Sequence, residues 1–139
     1  MRKITLFLIA VLAVALASCS NKNKTYPVSG SVTYRGSPAS GATVFFCRPG
    51  GDGMNDPMIM GIVQDNGSFE LVGGSQVKGI PAGEYDVLIE WKRAGGQGKG
   101  RPQRGPDQLK GRYADPKRPL LHATVEAKAT DLSPFELSD

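Results

Sequence analysis

The group best placed for chemistry in this sequence is the thiol of Cys19, which follows Leu16-Ala17-Ser18 at the end of a short apolar run. Met1, Arg2 and Lys3 put positive charge ahead of that run, Ile4 to Leu16 is apolar apart from Thr5, and the small residues Ala17 and Ser18 close it. Charged start, apolar middle and small-residue cleavage site come in the order of an export signal. A helix needs about 20 apolar residues to cross a bilayer, and the polar series Ser20 to Lys24 begins before that length is reached. The run is therefore expected to be cleaved and not to remain as a span.

The other candidate groups are sparse. Cys47 lies beside Val44, Phe45 and Phe46 and is expected to pack as a small hydrophobe, since a reactive thiol needs an electropositive, partly exposed setting of which Arg48 is the only sign. His122 falls in an alternating stretch with Thr124 and Glu126 and is expected to be a solvated or hydrogen-bonded strand residue. A zinc site lacks ligands, and no nucleophile elbow is present. Met54, Met58 and Met60 offer soft thioethers to Cu(I), but two residues of separation on a strand puts Met58 and Met60 on one face, which core packing explains as well. Asp52, Asn55 and Asp56 around Gly53 do not have the spacing of a calcium loop. No catalytic residue, metal or cofactor is assigned, and the chain is expected not to be an enzyme.

Charge concentrates in one place. Between Lys92 and Arg118 stand Lys92, Arg93, Lys99, Arg101, Arg104, Lys110, Arg112, Lys117 and Arg118 against only Asp107 and Asp115. The stretch from 92 to 119 is poor in hydrophobic residues and rich in Gly and Pro, so it is expected to be one long irregular loop; loops beyond about 12 to 15 residues are usually functional or disordered. Lys99, Arg101, Arg104, Lys110 and Arg112 are the candidate anion-binding residues, for an anionic envelope polymer, a lipid head group or an acidic protein. A solvated loop whose charge only keeps it soluble remains the alternative. Nucleic acid is not expected, because aromatics for base stacking occur only at the margins, at Trp91 and Tyr113.

The elements that must position these groups read as strands. Removal of residues 1–18 leaves enough chain for one domain with a core, and two of the four net positive charges leave with Arg2 and Lys3. Residues 19–25 form a polar tether, and 26–139 the domain. Val28 to Tyr34 alternates with a period of two, Ala42 to Cys47 is a second strand, and Met58 to Gln64 a third. Asp65-Asn66-Gly67 signals a tight two-residue hairpin into Ser68 to Val72. Glu84 to Trp91 places Tyr85, Val87, Ile89 and Trp91 on one side, and Leu121 to Val125 and Phe135 to Leu137 close the set. No stretch has a long helical period. Seven short strands with turn signals between them suggest a β-sandwich.

Two resemblances follow from these residues. Leu16-Ala17-Ser18-Cys19 resembles the lipobox of bacterial lipoproteins, which implies diacylglycerol and further acyl (palmitate-type) modification at Cys19 and cleavage before it. Two or more acyl chains anchor a protein stably. Ser20, in place of the Asp that favours inner-membrane retention, leans towards the outer membrane of the cell envelope. The second resemblance rests on Val28-Ser29-Gly30-Ser31-Val32, Gly36 to Val44, Asp65-Asn66-Gly67-Ser68-Phe69 and Ile80-Pro81-Ala82-Gly83-Glu84-Tyr85. In that order they resemble the carboxypeptidase regulatory-like, transthyretin-like domains, and with Tyr113-Ala114-Asp115-Pro116 the small bacterial lipoproteins that carry one such domain. The resemblance implies an all-β, seven-stranded Greek-key β-sandwich (transthyretin-like or Ig-like) behind a lipoprotein signal peptide, acting as a non-catalytic binding or structural module.

One relative of that fold hydrolyses 5-hydroxyisourate and carries a C-terminal Tyr-Arg-Gly-Ser. Here Tyr34-Arg35-Gly36-Ser37 stands in the first hairpin, and the chain has His122 alone where the enzyme needs two histidines. A hydrolase of that type and a spacer without a specific ligand are the alternatives.

Overall fold

Alternation along Val28–Tyr34 puts Val28, Gly30 and Val32 on one face and Ser29, Ser31 and Thr33 on the other, and one of the two larger sheets is built on this strand. The computed structural model of the protein describes residues 24–51, 59–73, 78–94 and 104–139. Among them are thirteen strands and no helix, so the described part of the chain is all-β. In chain order they are β1 (Thr25–Tyr26), β2 (Val28–Tyr34), β3 (Ser37–Pro38), β4 (Thr43–Cys47), β5 (Ile59–Ile62), β6 (Ser68–Glu70), β7 (Ile80–Pro81), β8 (Gly83–Glu90), β9 (Lys92–Ala94), β10 (Arg104–Asp107), β11 (Leu121–Val125), β12 (Thr130–Asp131) and β13 (Phe135–Leu137).

The strand count therefore departs from the expected seven. Strands occur within each of the seven stretches read from alternation, and β1, β3, β7, β9, β10 and β12 add ladders of two to four residues. Ladders so short cannot show a hydrophobic period. The expectations at Cys19 and the tether to residue 23, at Asp52, Met54, Asn55, Asp56 and Met58, and at Lys99 and Arg101 lie outside the described residues.

One sheet runs β11-β8-β4-β5, antiparallel throughout. In the other, β2 pairs antiparallel with β3 and β6 and parallel with β12 and β13. Inward-facing Val44 and Phe46 of β4, Tyr85, Val87 and Ile89 of β8 and Val125 of β11 share one buried cluster with Val28, Val32, Phe69, Phe135 and Leu137 from the β2 sheet, a sandwich-like arrangement. Phe69 stacks on Phe135 with ring centres 6.3 Å apart, and Phe46 tilts against Tyr85 at 5.8 Å. A Cβ on Gly30 would stand 2.8 Å from Cζ of Phe69, so the missing side chain in β2 is what admits the ring. Burial of each large apolar side chain of this kind stabilises by roughly 1.5–3 kcal/mol.

Two turns refine the sequence reading. Tyr34 and Ser37 pair across Arg35 (φ 51°) and Gly36 (φ 80°), the two left-handed positions of a type I′ turn. At Asp65-Asn66-Gly67 the two-residue hairpin is corrected to a three-residue loop. Gly67 alone of the three is left-handed (φ 86°), its N–H donates to the Gln64 carbonyl at 2.9 Å, and Gln64 N–H donates to the Ser68 carbonyl at 2.8 Å. Asn66 serves the loop with its side chain, whose Oδ1 accepts from Ser68 N–H at 3.0 Å and Ser68 Oγ at 2.7 Å.

The stretch from 92 to 119 is also corrected: it is not irregular throughout. β9 and β10 pair antiparallel, and the turns that follow are seated on the core by Leu109 and Tyr113, both buried. Two anchors four residues apart, held by a carboxylate, give no strand period for hydropathy to register.

Candidate functional site

The candidate site is the part of the basic segment that follows β10, and the residues that position it are acidic or apolar. At Asp107 the chain turns, and its carboxylate accepts three backbone N–H groups: Trp91 at 2.8 Å and Leu109 at 3.1 Å on Oδ1, and Gly111 at 2.8 Å on Oδ2. Acceptance from the residue two positions on is Asx-turn geometry. Gln108 N–H returns to the Trp91 carbonyl at 2.8 Å, so turn and strand end are joined in both directions. Arg112 N–H then donates to the Leu109 carbonyl at 3.0 Å across Lys110 (φ 54°) and Gly111 (φ 74°), a second type I′ turn.

Tyr113 fastens the far side. Its carbonyl accepts from Ile89 N–H at 2.9 Å, and its hydroxyl donates to the Ser138 carbonyl at 3.2 Å while accepting from Ser138 N–H at 3.1 Å. Burial pushes this phenol up, but the bonds with Ser138 and the Arg112 guanidinium outweigh it and hold the group below its ordinary 10.0. The guanidinium lies 5.9 Å from the centre of the Tyr113 ring. Trp91 completes the seat: its indole N–H donates to the Ser40 carbonyl at 2.8 Å, and its ring meets that of Tyr34 edge-on at 5.6 Å.

With the inner side fixed in this way, the outer side is charged. Lys110, Arg112 and Lys117 are exposed, and none of them forms an ion pair with a described carboxylate. The neighbouring cations differ. Lys92 pairs with Glu90 at 2.8 Å and Arg118 with Asp115 at 3.1 Å. Asp115 also accepts from Lys117 N–H at 2.9 Å; that bond first, and the Arg118 bond second, hold its carboxyl below the ordinary 3.8.

Of the residues expected to bind anions, Lys110 and Arg112 come together on one turn. Arg104 stands in β10 opposite Ala94, and Lys117 joins the exposed set. Sequence reasoning missed the residues that hold this surface in place: Asp107, Leu109 and Tyr113. An Asp followed at two and four positions by N–H donors of a Gly-containing turn was the available signal.

The remaining candidates are dispersed. Cys47 does not face the core: it is half-buried on the side of β4 opposite Val44 and Phe46, level with Asp86 of β8. Strand parity decides this, since five residues admit only alternate positions to one face. His122 is exposed, with Nδ1 2.8 Å from Oδ1 of Asp86. Tyr34 and Arg35 of the Tyr-Arg-Gly-Ser stretch both engage the Asp139 carboxylate at the edge of the β2 sheet, whereas His122 belongs to the other sheet. No group of three or more His, Cys, Asp or Glu among the described residues is arranged to hold a metal ion. A cleft of ≈ 330 Å³ lies near the start of β2, lined in part by Ser29, Glu70, Lys78 and Asp131, and Ser29 Oγ donates to Asp131 there at 3.1 Å.

No family model matches the chain. No curated protein matches it either. Among solved structures it is similar to a DUF3823 family protein from Parabacteroides merdae ATCC 43184, with 16% identity and a TM-score of 0.34, over 81% of this chain and 43% of that one. The chain thus spans less than half of that protein's length, and a likeness this weak carries no argument about fold or function.

Proposed function

We infer that this is a lipid-anchored protein of the bacterial cell envelope, held through Cys19 and residing at the outer membrane, whose single domain is a non-catalytic binding module. The domain is read as a transthyretin-like Greek-key sandwich of seven principal strands. The hydrogen bond from the Tyr85 hydroxyl to the Pro81 carbonyl at 2.8 Å supports that reading, because a tyrosine tied to backbone a few residues upstream is the corner device of such sandwiches. It also gives the Pro81-Ala82-Gly83-Glu84-Tyr85 stretch a purpose in packing and not in chemistry.

The observation that carries the binding role is the presentation of Lys110 and Arg112 to solvent from a turn whose inner side is pinned by Asp107, Leu109 and Tyr113, with Lys117 exposed on the Asp115 turn that follows. Cations held on a fixed backbone lose less freedom on meeting an anion than cations on a loose loop. The partner is anionic. Two measurements test the proposal. Binding to an anionic polymer should weaken with salt and vanish in the Lys110→Ala/Arg112→Ala/Lys117→Ala variant; equal binding by that variant sinks the role. In the native host, Cys19→Ala should leave the membrane fraction and lose labelled fatty acid, and a membrane-bound, never-acylated chain would sink the anchor.

A further inference from the structure

The two ends of the sandwich carry different things. The described chain enters at β1, where Tyr26 pairs with Ile80 of β7, and Val28 at the start of β2 pairs with Thr130. β8 begins beside that entry, two residues after β7, and runs eight residues from Gly83 to Glu90. The basic arm fastens to its far end, at Ile89 and Trp91. β2 runs the same way, from Val28 to Tyr34, whose ring meets that of Trp91. Eight residues of strand cover roughly 25 Å at about 3.3 Å each. From Cys19 to Thr25 the chain reaches at most about 22 Å, whatever its conformation.

We propose that the basic arm faces away from the membrane holding the anchor, and that its partner is a polyanion of the surrounding compartment, a polymer of repeated phosphate or carboxylate groups, and not the head groups of the anchoring leaflet. This rests on the anchor at Cys19 and the anion-binding arm of the preceding section. Charge is screened over about 8 Å at physiological ionic strength, so cations roughly 25 Å beyond the entry end do not feel the leaflet's surface potential while the domain stands on its tether.

The entry end offers that leaflet little excess charge. Lys128 pairs with Glu126 at 2.7 Å and Lys78 shares its cleft with Glu70 and Asp131, which leaves the single charge of Lys24, 5.6 Å from the centre of the Tyr26 ring. On the arm, Lys110 and Arg112 flank Gly111 in the type I′ turn, and Lys117 follows on the stretch leading to β11. Cations strung along an exposed chain suit a repeating anion, which meets each in turn.

The test uses the full acylated chain from a bacterial host, reconstituted in vesicles, with long-chain polyphosphate as the probe. On neutral phosphatidylcholine vesicles, polyphosphate should float with the protein, and Lys110→Glu/Arg112→Glu/Lys117→Glu, checked for an unchanged melting temperature, should lower that capture about ten-fold or more. On vesicles rich in anionic phosphatidylglycerol, capture by the wild type should persist within about two-fold. Loss of capture on the anionic vesicles alone would overturn the outward orientation and leave anion binding intact. No capture on either vesicle, or equal capture by the variant, would overturn the binding role itself. A chain that does not float with vesicles at all overturns the anchor, and the orientation with it.

Discussion

Arg35-Gly36 and Lys110-Gly111 are the same turn spelled twice, a cation and a glycine in the two left-handed positions, with φ of 51° and 80° in one and 54° and 74° in the other. Arg35 and Lys110 are the non-glycine residues with positive φ among those described, a conformation that costs roughly 1–2 kcal/mol for a side chain with a Cβ. What differs is the use made of the cation. Arg35 pairs with Asp139 and lies 5.4 Å from the Tyr34 ring centre, so its charge is absorbed locally. Beside Lys110 the nearby carboxylate, Asp107, accepts backbone N–H groups instead, and the lysine charge is left to solvent. One backbone solution thus serves a closed hairpin in one place and a presented charge in the other.

The largest effect should separate the two acids. Asp107→Ala removes a charged acceptor from three N–H groups and should lower stability by about 2–4 kcal/mol in urea unfolding, taking anion binding with it. Asp139→Ala breaks an exposed pair and should lower it by no more than about 1 kcal/mol. Equal losses would mean that the two turns are held alike. A smaller and more discriminating effect comes from the cations. Lys110→Gly should raise stability by about 1 kcal/mol through relief of the left-handed position while weakening anion binding; Arg35→Gly gains the same relief but loses its ion pair, so its urea midpoint should hardly move.

The smallest effect is a titration. Because the folded-state carboxyl of Asp115 lies below 3.8, its contribution is present above the unfolded value and disappears as pH falls through the lower folded value. The protection of the Lys117 amide, its exchange rate taken relative to the intrinsic rate at each pH, should therefore fall in strong acid, and Asp115→Asn should remove that fall. Protection in the variant that still falls in acid would assign the transition to another group.

The buried half of the fold was legible because alternation is local. Val28, Gly30 and Val32, then Tyr85, Val87 and Ile89, announce their faces by parity alone, and Phe69 after its glycine turn announces the core. The short ladders were not, since Thr25–Tyr26 and Ile80–Pro81 find each other only once the sheets have placed them. The side on which Cys47 packs was not legible, because its apolar neighbours Phe45 and Phe46 straddle both faces of β4, and composition without parity cannot choose between them. At the candidate site Lys110 and Arg112 were visible as charge. The means of their display was not: Asp107 contributes through its side chain to backbone in Trp91, sixteen residues earlier in the chain, and no periodicity encodes such a bond.

Trp91 is the single tryptophan of the sequence, and it occupies the seam where the arm, β2 and the Ser40 carbonyl meet. Its indole is thus a built-in optical gauge. Detachment of the arm would bring water to the ring, redden its emission and open it to quenching by iodide, whereas a partner that clamps the arm would do the reverse. The state of the arm can therefore be followed by light, with no label attached and no other tryptophan to confuse the signal.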